Sequence, residues 1–293
     1  MSVSRQPAEN CDGADNAVQP PVGALVDNRG PDTYFTYIGF PSFVWMGRVK
    51  WPGSNGPGDR MATSFHKIKG ALYLLSRGYI GVLLEEAKRE LVSEETSYAF
   101  RRDLSLPVNP RPTPTSLTLR PFERAGIALL ALDNIRRGST KALMDRISRI
   151  ALLEAGIPSC YVAVAADGSP CFIQWLISPA ENEKLDAYYK GYFLPLAHDE
   201  VLLEGAYIPE SHRGKGIMGP AMSQVAEKGR AMGARWAVTY VEDSNLPSIR
   251  GCLECGFHPY LRKKALWRGF RREVFFTPLS EEECSRLEAS WQL

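Results

Sequence analysis

No stretch of this chain approaches the roughly 18 consecutive apolar residues that a membrane-spanning helix needs, so no transmembrane segment is expected. Residues Met1 to Asn28 carry neither a basic leader nor an apolar core. They do not read as a secretory signal, and a cytoplasmic protein is the expectation. A surplus of one charge is also missing. The 35 Lys and Arg against 33 Asp and Glu leave a formal net charge of +2, which gives no electrostatic reason for a nucleic-acid partner. Histidine is scarce, with four in the chain. Among six cysteines, Cys252 and Cys255 form a lone C-x-x-C with no second pair and no His set, so no metal is expected. Cys160 and Cys171 flank a hairpin centred on Asp167 and Gly168. Symmetric pairing sets Cys160 near Trp175 and Cys171 near Val164, so the two need not meet. What is present is ordinary: 44% hydrophobic and 23% charged residues, the composition of a globular protein of one large or two small domains.

Residues 1–33 hold few large apolar side chains and read as a disordered tail. Residues 34–106 read as a separate, mainly helical accessory unit. It opens on an aromatic cluster from Tyr34 to Trp51, breaks at Pro52 to Gly58, and continues as a helix from about Ser64 to Leu91. There Phe65, Ile68, Leu72, Leu75, Tyr79, Leu83 and Ala87 keep a 3.6-residue rhythm, while Gly78 and Gly81 suggest a kink or break. The apolar face suits packing on the main domain, and the basic residues elsewhere on it suit contact with an anionic membrane surface. Pro107, Pro110, Pro112 and Pro114 make residues 107–115 a stiff linker. Residues 278–293 read as a helical tail.

The most informative stretch runs from Glu204 to Pro220. Val201, Leu202, Leu203, Ala206, Tyr207 and Ile208 make a strand, and Ala221, Met222, Val225, Ala226 and Gly229 recur at helical spacing after it. Between them lies Arg213-Gly214-Lys215-Gly216-Ile217-Met218-Gly219. A glycine-rich turn that opens a helix points unpaired backbone N–H groups at one spot, which is how a diphosphate is held. The strand Trp236 to Val241 follows, and then Asn245, which opens a helical segment ending at Gly256 and Phe257.

These two segments resemble the signatures of the GNAT acyltransferases, whose pyrophosphate loop follows Arg/Gln-x-x-Gly-x-Gly/Ala and whose second signature is an Asn opening a helix that ends in Gly-Phe. Met218 departs from the loop pattern, standing where Gly or Ala is usual, with Gly219 one step later. The resemblance covers residues 116–277. It implies an α+β fold, a mixed and splayed central sheet flanked by helices, with acetyl-CoA or another acyl-CoA as co-substrate. Carried over residue by residue, Arg213, Gly214, Lys215, Gly216, Ile217, Met218 and Gly219 hold the pyrophosphate. The backbone of Ala206, Tyr207 and Ile208 receives the pantetheine arm as an added strand. Asn245 caps its helix and touches the pantetheine or ribose region, or caps the helix alone.

Acyl transfer to an amine needs a base for the ammonium proton and an acid for the leaving thiolate. Members of the family often place a Glu on the splayed strand, which points to Glu204, with Glu200 and Asp199 in reserve. The acid is often a Tyr seven residues after the Asn, and here that position is Cys252. A thiol can return a proton to a thiolate of similar basicity. Otherwise Cys252 is a packing residue, and Tyr207, Tyr240 or water supplies the proton. His198 and His212 read as structural. The segment Asp186 to Pro195, rich in tyrosine, suits stacking on a sugar or covering an acyl chain, and equally a surface loop tied down by its rings. The basic run Tyr260 to Phe276 reads as a solvated edge or a patch for an acidic or lipid-linked partner. The expected activity is N-acetyl transfer to a small-molecule or sugar amine. Transfer to a protein amine and a non-catalytic coenzyme A-binding regulatory module are the alternatives.

Overall fold

The computed structural model describes residues 80–108, 116–122, 149, 152, 157 and 159–292. The tail expected at 1–33, residues 34–79 of the expected accessory unit, linker residues 109–115 and nearly all of the two segments that read in the sequence as helices, Phe122 to Ile135 and Ser139 to Ala155, lie outside the described residues. Arg149 and Leu152, within the second of those helices, are helical.

The described chain runs α1 (Ile80–Leu91), β1 (Val92–Asp103), β2 (Leu117–Pro121), β3 (Cys160–Ala165), β4 (Pro170–Ile177), α2 (Asn182–Tyr189), β5 (Glu200–Tyr207), α3 (Met218–Ala231), β6 (Trp236–Glu242), α4 (Leu246–Glu254), β7 (His258–Arg268), β8 (Arg271–Pro278) and α5 (Glu281–Gln292). The eight strands form one sheet in the order β2-β3-β4-β5-β6-β1-β7-β8. Only β5 and β6 pair in parallel; the other neighbours are antiparallel. The fold is therefore α+β, a mixed sheet with helices against it.

One difference from the sequence reading concerns the domain edge. Residues 92–103 fall inside the unit expected at 34–106, yet they form β1, paired on one side with β6 and on the other with β7. Both ladders of β1 are filled, so this strand is interior to the sheet, and the proline-rich segment does not mark the sheet's boundary. The physical reason is in the pattern. Backbone pairing on two sides holds a strand whose side chains include Glu94, Glu95, Arg101 and Arg102, and apolar content alone does not reveal it.

The core lies on both faces of the sheet. Against one face, α3 buries Ala221, Met222, Val225 and Ala226, the positions of its apolar stripe. Gly229 closes that contact, since a Cβ there would stand 2.7 Å from Val201 Cγ2. On the same face α5 brings Trp291 against Tyr98 and Phe100, with ring centroids 5.1 and 5.7 Å apart. The other face packs Trp175, Ile177, Leu202 and Val238 with Leu152 and Phe193. Each such large side chain, fully buried, contributes about 1.5–3 kcal/mol. The Cys160–Trp175 pairing expected from the hairpin is present, and Cys160, Cys171, Cys252, Cys255 and Cys284 are free thiols.

Two irregularities in this frame make the site. First, β5 and β6 pair only over Glu200 to Leu202 and Trp236 to Val238. Beyond those residues the strands separate. Second, β4 and β5 pair Ile173 with Tyr207 and Trp175 with Glu204, so β5 carries one extra residue there, a β-bulge. Gly205, at φ +67°, occupies the bulge, and a Cβ on it would lie 2.9 Å from the Trp175 ring and 3.0 Å from Leu152 Cδ1.

Candidate active site at the splay of two parallel strands

The gap between β5 and β6 opens into a cleft of about 890 Å³. Glu204 and Ala206 line it from β5, Tyr240 and Glu242 from β6, Asn245 and Cys252 from α4, and Met218 from α3. Residues of α1 and the start of β1, among them Glu86, Arg89 and Glu95, complete its wall together with Tyr189 and Tyr192.

The glycine loop leads into Met218, which lines the cleft. Gly214 at φ +74° and Gly216 at φ +66° adopt the left-handed backbone that glycine takes at no steric cost. A Cβ at either would meet nothing within 4 Å, so each faces open space. The backbone N–H groups of Gly214, Gly216 and Ile217 find no backbone carbonyl among the described residues. Ile217, 1% exposed, pins the turn to the core, and α3 begins at Met218 with its N-terminal dipole directed at the same spot. Open space, unpaired donors and a helix start suit a diphosphate. The departure at Met218 has a structural counterpart. Its Sδ would lie 3.2 Å from a Cβ on Gly251 of α4, so the larger side chain is accommodated by a glycine on the facing helix. Gly219 approaches Cys255, whose Sγ donates to the Gly219 carbonyl at 3.2 Å. Asn245 caps α4, its Oδ1 accepting from the Ser248 N–H at 3.3 Å, and it also lines the cleft.

Glu204 opens on the cleft but sits deep beneath the protein surface. Burial raises its carboxyl above the usual carboxylate range, opposed by the Lys263 ammonium, the Gly205 N–H and the Arg149 guanidinium. A raised pKa makes a carboxylate a stronger base, which is what proton abstraction from an ammonium needs. The reserves lie elsewhere. Glu200 starts β5, where the strands are still paired, and its carboxylate accepts from the Ala197 N–H at 2.9 Å. Asp199 precedes the strand, and its carbonyl accepts from the Arg235 and Trp236 N–H groups.

Cys252 lies in the cleft wall on α4, 1% exposed. Burial pushes its thiol up, with a smaller push from Cys255. A thiol held so firmly in its protonated form is a poor donor to a thiolate of ordinary basicity. Tyr240 lines the cleft, and its hydroxyl is engaged with the Leu194 backbone and with Tyr260. Tyr207 is buried against Ile173 and under the Arg149 guanidinium, 4.9 Å from its ring.

The backbone of Ala206, Tyr207 and Ile208 is partly occupied. Arg149 donates to the Gly205 carbonyl at 3.0 Å and to the Ala206 carbonyl at 2.8 Å, and Arg213 donates to the Ile208 carbonyl at 3.2 Å. No pattern in the sequence singles out Arg149. Lys263 was expected on a solvated edge and is instead 1% exposed, with its ammonium 3.3 Å from the centroid of the Tyr192 ring. The alternation of buried Leu261, Lys263, Ala265 and Trp267 along β7 is the signal that placed it inward. The tyrosine-rich segment is held by its own rings: Tyr189 meets Phe193 at 4.6 Å and Tyr192 meets Phe193 at 5.1 Å. His198 is exposed, and His212 contacts Ser169 and Ser211.

This geometry is joined by comparisons with known proteins. Residues 158–257, from the hairpin to the end of α4, match the model of the acetyltransferase (GNAT) family. Those residues are a GNAT acetyltransferase domain. A comparison with curated proteins found no match. Among solved structures, the chain is similar to a GNAT-family acetyltransferase from Colwellia psychrerythraea, at 9% identity and a TM-score of 0.36, over 68% of this chain and 61% of that one. It is similar to a GNAT-family protein from Novosphingobium aromaticivorans at 14% identity and a TM-score of 0.38, over 60% and 65%. A third, a GCN5-related N-acetyltransferase from Sphaerobacter thermophilus, has 13% identity and a TM-score of 0.39, over 76% and 69%. The chain spans 56–65% of the length of the first structures it matches, and the assignment of the domain rests on the family model. No helix among the described residues is long and apolar enough to cross a membrane.

Proposed function

We propose that the protein is an acyl-CoA-dependent N-acyltransferase, transferring an acetyl or related acyl group from coenzyme A to an amine of a small molecule or amino sugar. The observation that carries this reading is the position of Glu204. It lines a cleft whose wall also holds carboxylates and tyrosines and which reaches Met218, where the open, donor-rich glycine loop enters α3.

Bound acetyl-CoA would supply an activated acyl group as a thioester. The amides of Gly214 to Gly219 and the N-terminus of α3 would hold its pyrophosphate, with Arg213 and Lys215 adding long-range attraction and Asn245 alongside. Because Arg149 donates to the Gly205 and Ala206 carbonyls, the free backbone groups at the splay would be reached only as that guanidinium moves aside. Glu86, Glu95 and Glu242 line the cleft together with Arg89, which is paired with Glu86, and the surplus of carboxylates favours an acceptor that arrives as a cation. Glu204 takes the proton from the acceptor ammonium, leaving a neutral amine as nucleophile. With Cys252 buried and the Tyr240 hydroxyl engaged by Leu194 and Tyr260, the proton returned to the thiolate comes from water in the cleft.

The test is the release of coenzyme A thiol from acetyl-CoA with and without a panel of small amines, amino sugars and peptides. Release that depends on a small amine is the expected result. Release only with peptides would move the acceptor to a protein amine. No release with any amine, with acetyl-CoA still bound, would leave a regulatory binding module.

Two further outcomes are expected here. Gly216→Val places a β-branched residue at φ +66°, at a cost of about 1–2 kcal/mol, and puts its side chain in the open concavity. Calorimetry with acetyl-CoA should show affinity lower by about tenfold or more; unchanged affinity in a folded variant would remove the loop from the cofactor site. Cys252→Ala should keep nearly all of its turnover and lose a little thermal stability, about 1 kcal/mol. A large fall in kcat would restore the thiol as proton donor.

A further inference from the structure

Among the described residues, Lys263 is the one buried ammonium, and the proposed chemistry does not use it. It projects from β7 into a cage of three rings, 3.3 Å from the centroid of Tyr192, 4.9 Å from Tyr240 and 5.1 Å from Phe193. A cation over a ring face is attracted by the ring quadrupole, more strongly where water is excluded. Tyr192 is gripped from further directions. Its hydroxyl donates to Glu95 Oε1 at 2.6 Å, and the Arg272 guanidinium lies 4.8 Å from its centroid. Arg272 is itself tied to the carbonyls of Tyr189 and Lys190.

Charged groups face Lys263 from several strands: Glu95 on β1, Glu204 on β5, Glu242 on β6 and Arg272 on β8. The cross-strand register fixes this arrangement, since Ser97 pairs with Glu242 on one side and with Lys263 on the other. Glu204 in turn is faced by Lys263 and Arg149, and lies within electrostatic reach of Tyr189, Tyr192 and Tyr240. Tyr192, Tyr240, Glu95, Glu204 and Glu242 all line the cleft. Lys263 does not line it. It therefore acts through its neighbours.

We propose that Lys263 is a positioning residue for acyl transfer, an internal cation whose cage of Tyr192, Phe193 and Tyr240 holds it beneath the acceptor end of the cleft and keeps Glu204 in its charged, proton-accepting form. The inference rests on the reading of Glu204 as the base. Burial pushes the Glu204 carboxyl up, and the Lys263 ammonium is foremost among the groups that oppose that push. The lysine bears the consequence: burial lowers it to about 7 against the pull of Glu95 and Glu204. Removing the cation leaves desolvation less opposed, so Glu204 should hold its proton to higher pH.

The experiment compares wild type, Lys263→Met, Lys263→Arg and Glu204→Gln. It reads kcat/KM against pH, acetyl-CoA affinity by calorimetry, and melting curves. Lys263→Met should move the acidic limb upward by about one pH unit or more, the usual effect of losing a close opposite charge, while acetyl-CoA affinity changes little. Lys263→Arg, which keeps the charge, should leave the limb near its wild-type position. A wild-type limb in Lys263→Met, or an equal loss at every pH, would overturn the proposal. An unfolded Lys263→Met chain would do the same by making the lysine structural. If the limb survives Glu204→Gln, the base assignment itself fails and this inference falls with it, a result distinguishable from any outcome with Lys263 alone.

Discussion

Glu204→Gln is expected to lower kcat by about 10²-fold or more, the scale usual for losing a general base, with acetyl-CoA binding nearly unchanged. The amide keeps the shape of the side chain and removes its capacity to take a proton. The pH dependence carries a second, sharper expectation. A base works only when deprotonated, so the wild-type enzyme should lose activity as pH falls through the pKa of Glu204. Burial raises that pKa, which places the acidic limb above the ordinary carboxylate range, and Glu204→Gln should lack the limb. Steady-state kinetics over about pH 5 to 9 would measure both. Turnover near the wild-type level throughout would take the role away from Glu204, and neither Glu200 nor Asp199 stands in the cleft to receive it.

Gly205→Ala should produce the largest loss of stability. The added methyl must enter a backbone at φ +67° and press on Trp175 at 2.9 Å and Leu152 at 3.0 Å, both fully buried. Left-handed strain of about 1–2 kcal/mol and overpacking of about 1–3 kcal/mol together give a destabilisation of about 2–5 kcal/mol. Because the bulge aims Glu204 into the cleft, a chain that still folds should lose turnover as well as melting temperature. A variant with wild-type melting and activity would mean that β5 holds its course without the bulge.

Much of the site was legible because backbone chemistry writes strongly on sequence. Glycines at positive φ, an Asn cap with Pro247 in the first turn, and short, mainly apolar runs in β4, β5 and β6 each have few alternative readings. That is why the loop, α3 and α4 stand where the spacing puts them. The strand β1 was not legible, since Val92–Asp103 is rich in charged and polar residues and its place follows from pairing with two distant partners. Arg149 shows no signal either: it is one arginine in a helical segment, and only the chain's return brings the Gly205 carbonyl to it. Lys263 is the intermediate case. Its inward register could be counted from Leu261, Ala265 and Trp267, but a lysine between Arg262 and Lys264 reads first as part of a basic edge or patch.

The interior position of β1 bears on the order in which the molecule can assemble. This strand leaves the ribosome well before β6 and β7, which supply its ladders. Contacts so far apart in sequence are slow to form, because the entropy of closing the intervening chain is lost before the pairing compensates it. Until synthesis reaches β7, the residues of β1 have two unsatisfied edges and, in Tyr98 and Phe100, aromatic rings without the Trp291 of α5 to cover them. Such a strand is exposed to chaperones and to neighbouring chains until those partners are made, so a distant and later part of the chain is what closes the middle of the sheet.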